Sequence, residues 1–110
     1  MEAGTTDSVG AAVLVANSRF YSAVSEGNMA AMKAVWAEDH RCCCVHPGWG
    51  EAVLGREAVL ESWSLIFRNQ PGLRVACVGA RAFMVGAHDD AAFVVGTEQL
   101  PGGFAACTNM

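Results

Sequence analysis

The stretch "NQPGLRVACVGARAFMVGA", residues 69 to 87, divides this chain by period. Before Pro71 the apolar residues recur at helical spacing. After Gly72 come runs rich in Val, Phe and small residues, separated by the turn-forming "HDD" and "PGG". A chain with helices first and hairpins last buries its apolar faces by laying helices on one side of an antiparallel sheet. The fold class read from the sequence is therefore α+β, with three helices packed on a curved antiparallel sheet.

The helices carry their own punctuation. "TTDSVGAAVLVANSRFYSAVSEGN" opens on capping residues (Thr6, Asp7 or Ser8) and closes on Gly27, a natural C′ glycine. Val9, Val13, Asn17, Phe20, Tyr21 and Val24 fall on one side of that helix. Asn28 caps a second, shorter helix whose Met29, Met32, Val35 and Trp36 share a face. "RCCCVHP" reads as a short strand ended by Pro47, which donates to no ladder. Gly55 caps a third helix with Ala58, Val59, Leu60, Trp63, Ile66 and Phe67 as its apolar face, and Pro71-Gly72 stops it. The spacing predicts helices over 7–26, 29–38 and 56–69, and strands over 41–46, 73–86, 91–100 and 104–110. The last strand reaches Met110 with no turn or polar tail, so a single domain over 1–110 lacking its final strand is expected. Such an open edge is a pairing hazard.

Composition removes several function classes. With 110 residues, 53% of them hydrophobic and 16% charged, the chain builds one core and is not a disordered tail. A net charge of −4 excludes nucleic acid as a partner, because phosphate binding needs a basic face. No apolar run approaches the ~18 residues of a membrane span, so no membrane partner is expected either. Glu2 and the absence of a basic leader speak against secretory and transit peptides. Five cysteines, three of them consecutive, make a poor disulfide framework and point to a reducing, cytoplasmic setting.

The run Cys42-Cys43-Cys44-Val45-His46 invites a zinc reading, since alternate residues of a strand share a face. Cys42, Cys44 and His46 would then span about 13 Å at ~3.3 Å per residue, too far for one ion with bonds near ~2.3 Å. The cysteines are accordingly read as small buried core residues, and neither metal nor cofactor is expected. His46 is chemically able to move a proton near neutrality, its ordinary pKa being ~6.5. The competing reading is a histidine hydrogen-bonded at a strand end. Trp49 and Trp63 are placed to stack on a flat ligand, and Glu98 is a candidate acid or base if its strand faces a pocket. Asp39-His40 reads as an exposed helix boundary, and His88 as a solvated turn residue.

"FYSAVSEGNMAAMKAVWAED", "CVHPGW", "LGREAVLESWSLIF" and "VVGTEQLPGG" resemble the SnoaL-like branch of the nuclear transport factor 2-like superfamily. Ketosteroid isomerases, scytalone dehydratase and SnoaL-type polyketide cyclases share that fold. The resemblance implies a cone with an internal pocket, homodimers packed through the sheet, and a further long strand after Met110, so that the chain looks truncated. In ketosteroid isomerase the residue before a proline at the end of the first strand is the general base; the matching residue here is His46. The family's oxyanion-binding tyrosine matches Phe20, with Tyr21 one residue on and so ~100° around the helix, expected to point away. A second oxyanion donor falls near Asn109. That constellation is not preserved, which excludes steroid isomerisation.

The expected site is therefore His46 as the catalytic candidate, with Phe20, Trp49, Trp63, Glu98 and Asn109 lining the pocket. The expected function is a small-molecule-binding or dimerisation module without assignable chemistry, its ligand small and apolar or aromatic. The alternative is an enzyme of isomerase, cyclase or dehydratase type, moving a proton through His46.

Overall fold

The sheet that dominates the second half of the chain has β4 (Ala91–Leu100) at its centre, with β3 (Ala76–Val85) and β5 (Gly103–Asn109) antiparallel on either side. In this computed structural model, residues 4–86, 88 and 90–109 are described. They fall into two units. One holds residues 1–22 and 74–110, the other residues 23–73.

In the first unit, helix α1 (Gly4–Glu26) contributes the part up to Ser22. Asn17 and Tyr21, one turn apart, are buried, and Phe20 is half-buried with its ring edge-on to Tyr21 at 5.0 Å. Strand alternation sorts the sheet into two faces. Cys77, Ala82, Met84, Ala92, Val94 and Glu98 share one, and Val94 is buried there. Val78, Phe83, Val85 and Val95 share the other and are exposed. A bulge interrupts the ladder between Val78 and Arg81, where Gly79 takes φ +68. Opposite it, a Cβ on Gly96 would stand 2.7 Å from Cys77 Sγ, so any larger residue forces that side chain to shift.

In the second unit the expected caps are in place. Gly27 is left-handed at φ +61; its N–H reaches Val24 O and that of Asn28 reaches Ala23 O, which closes α1 with a Schellman turn. Asn28 Oδ1 then accepts from the Ala31 N–H and opens α2 (Met29–Val35). Gly55, at φ +93, is the N-cap of α3 (Arg56–Asn69). Met32 and Val59 are fully buried and mark the core of this unit.

Two elements differ from the sequence reading. Helix α2 ends at Val35 rather than 38, because Trp36 is extended and Arg56 Nη2 donates to the Lys33 carbonyl at the helix end. The strand expected over 41–46 shrinks to β1 (Cys43–Cys44), paired with an unforeseen β2 (Val53–Leu54). Asp39 binds the Arg41 backbone and guanidinium on one side of it. On the other, His46 to Trp49 form a turn with Pro47 and left-handed Gly48 at the centre. A two-stranded ribbon cannot enclose its side chains. The cysteine run is therefore not buried core: Cys42 and Cys44 are half-buried and Cys43 is exposed, and these, like half-buried Cys77 on β3, are free thiols. Among the described residues no helix is long and apolar enough to cross a membrane.

Candidate functional site

The first chemically loaded pair lies on the helix-and-sheet unit. The Tyr21 hydroxyl donates to Glu98 Oε2 at 2.7 Å, joining residues 77 apart in the chain. Helix α1 places Tyr21 on its buried stripe, and β4 places Glu98 on the same sheet face as Val94 and Met84. Tyr21 thus takes the buried position and Phe20 its flank, the reverse of the expected order. The helix phase centres on Asn17 and Tyr21, and Phe20 is rotated ~100° from the latter. Glu98 is half-buried, and among the described residues it makes no ion pair. A carboxylate and a phenol in contact can exchange or share a proton with a third group.

His46 occupies a different setting. It is 4% exposed, its ring 4.7 Å from that of Trp49 and 4.8 Å from that of Trp63. The two tryptophans therefore pack against His46, Trp49 tilted at 52° and Trp63 edge-on at 83°. The hydrogen-bond directions fix its tautomer. Ser62 donates its one proton to the Val59 carbonyl at 2.6 Å, so its oxygen accepts from His46 Nε2–H at 2.8 Å. Nδ1 is then bare and faces the Cys44 sulfur at 3.9 Å. Burial pushes the Cys44 thiol up to about 11, with Cys43 adding to the effect, so Cys44 keeps its proton and is the donor. Burial likewise lowers the His46 pKa, which favours the neutral ring. Both ring nitrogens are engaged, and the ring is a strand-end anchor in a closed aromatic setting.

Ser62 drew no notice in the sequence because it sits among the apolar residues of α3. Its one signal is its place four residues before Ile66 on the buried stripe, where a hydroxyl needs a partner. A third feature, a cleft of about 970 Å³, opens beside the first turn of α3 and is bordered by Glu38, Asp39, His40, Arg56 and Glu57. The Arg41 side chain and backbone N–H hold the Asp39 carboxyl well below the usual carboxylate range. None of the residues expected to line a pocket borders this cleft. Asn109 lies in β5 opposite Val94, and its side chain is outside the described residues.

The element order and the antiparallel sheet have counterparts in known proteins. The sequence profile of the SnoaL-like domain matches residues 13–109, most of the chain. The chain belongs to the SnoaL-like domain family. This SnoaL-like domain is similar in fold to a "putative dehydratase" of the NTF2-like family from Streptomyces avermitilis. The TM-score is 0.73 and the identity 24%, over 92% of each chain. It is also similar to a "putative calcium/calmodulin-dependent protein kinase type II association domain" from Thiobacillus denitrificans. There the TM-score is 0.54 and the identity 24%, over 83% of this chain and 86% of the other. No curated protein matches it. At these identities the likeness is one of fold, and it makes the SnoaL-like domain α+β with three helices and antiparallel strands.

Proposed function

We propose that this SnoaL-like domain binds a small, largely apolar or aromatic molecule and anchors its polar end at Tyr21 and Glu98. The observation that carries the reading is the hydroxyl of buried Tyr21 bonded to a half-buried carboxylate on a sheet face whose other described residues are apolar. Ligand sites are mostly apolar, with a few placed polar groups that fix orientation. His46 fits this role less well, since Ser62 and Cys44 already occupy its two nitrogens. A thermal-shift screen of small aromatic compounds tests the proposal. Hits should raise the melting temperature of the wild type and lose most of that effect in Glu98→Gln. No hits, or hits indifferent to the variant, would sink it.

A catalytic reading rests on the same pair. An elimination needs a base for a C–H proton and an acid for the departing hydroxyl. Glu98 and Tyr21 are chemically suited to those roles, and a structural neighbour is described as a dehydratase candidate. Deuterium exchange at the α-carbon of a bound aryl ketone, abolished in Glu98→Gln, is its readout.

Self-association through the sheet is part of the proposal for the outer face. Val78, Phe83, Val85 and Val95 are 39–47% exposed there, with Phe83 stacked on Phe93. Phe83→Lys should shift a dimer to monomer in sedimentation equilibrium. Free thiols at the described cysteines fit a reducing, cytoplasmic setting.

A further inference from the structure

We infer that the Tyr21–Glu98 site selects a ligand carrying a hydrogen-bond donor, an ammonium or hydroxyl group on an aromatic or apolar frame, and discriminates against carboxylates. The inference rests on the small-molecule reading and adds the ligand's chemical class. It follows from counting protons. A phenol has one, and Tyr21 donates its own to Glu98 Oε2 at 2.7 Å. An ionised carboxylate has no proton to give and about four acceptor positions, of which Tyr21 fills one. What Glu98 still offers is acceptor capacity and negative charge. Among the described residues no cation neutralises it. Arg81 lies on the opposite sheet face, its guanidinium 5.6 Å above the Phe83 ring.

The neighbours of Glu98 sharpen the selection. Ala82, Met84, Ala92 and Val94 share its face and give an anion no donor, whereas they suit a hydrocarbon frame. Cys77, directly opposite Glu98 in the ladder, and Gly96 beside it keep the surroundings of the carboxylate small. A carboxylate placed there meets like charge and, among the described residues of that sheet face, finds no donor, which costs it twice. An ammonium gains a charge-assisted hydrogen bond, the stronger kind. A hydroxyl gains a weaker one, and a plain hydrocarbon none.

The test is isothermal titration of the full chain with four compounds on one frame: 2-naphthylmethylamine, 2-naphthylmethanol, 2-methylnaphthalene and 2-naphthoate. Affinity should fall in that order, the amine exceeding the hydrocarbon by about tenfold or more. Glu98→Gln keeps the shape, removes the charge and adds a donor. In it the amine should lose its advantage over the hydrocarbon, while the naphthoate gains. An amine preference that survives Glu98→Gln would belong to the chain's net charge of −4 and would overturn the inference. Naphthoate binding as tightly as the amine to the wild type overturns it too, and leaves small-molecule binding standing. If none of the four binds, the hydrocarbon included, both readings fall. Should Glu98→Gln fail to fold, Glu98→Asp serves, since it keeps the charge, withdraws it by one methylene and should weaken amine binding most, alcohol binding less and hydrocarbon binding not at all.

Discussion

His46 shows how a titratable side chain becomes structural once its partners are fixed. A buried ring whose Nε2–H is given to Ser62 and whose Nδ1 faces a protonated thiol is held neutral, and its pKa lies below the ordinary value. The unfolded chain binds that proton more readily. The stabilisation is therefore complete above about pH 6.5 and is lost as pH falls from there towards the folded-state value, at most ~1.4 kcal/mol per pH unit. Thermal melts from pH 7.5 to 5 should show a steeper fall for wild type than for His46→Gln, which cannot take up the proton. Ser62→Ala removes the acceptor and leaves a buried N–H alone, so the fold should lose about 1–3 kcal/mol in urea titration, with the m-value unchanged. Of this cluster the sequence singled out His46, Cys44, Trp49 and Trp63, and missed Ser62. Ser62 is 16 residues from His46, and no local pattern ties the two together. Tyr21 and Glu98 were harder still. A contact across 77 residues leaves no local trace, and the family's pattern drew attention to Phe20 instead.

Elements were legible where a cap or a period announced them. Gly27, Asn28 and Gly55 each mark a helix end because the backbone there needs a left-handed φ or a side-chain acceptor, and both needs restrict residue type. The long strands β3 and β4 were legible from their composition and the turns between them. Strand β2 was not, since two residues are too few to display a period. The early end of α2 was equally hidden, because part of what holds it, the Arg56 guanidinium on the Lys33 carbonyl, comes from another helix. Gly96 belongs to this scale as well. It reads as an ordinary small residue until the fold sets Cys77 Sγ 2.7 Å from where its Cβ would be. Gly96→Ala should lower stability by about 1–3 kcal/mol, as overpacking does. Cys77→Ala in the same chain should recover most of it, and a thermal melt of the double variant decides.

Over the whole molecule, α1 is the element that runs from one unit into the other, with the division after Ser22. Proline at that exposed position removes a helical hydrogen bond and clashes with the turn before it, at ~3 kcal/mol or more. Wild type should unfold in one transition, and Ser22→Pro in two, one in each unit. The chain has one tyrosine and three tryptophans. Tyr21 lies in the first unit, while Trp36, Trp49 and Trp63 all lie between residues 23 and 73. Fluorine introduced by growth on 3-fluorotyrosine therefore gives a single resonance, and that nucleus sits on the ring whose hydroxyl touches Glu98. Tryptophan emission reports the other unit in the same tube. The distribution of aromatic residues thus makes the unmodified sequence its own two-channel spectrometer, one channel tuned to the proposed ligand and the other to the His46 anchor.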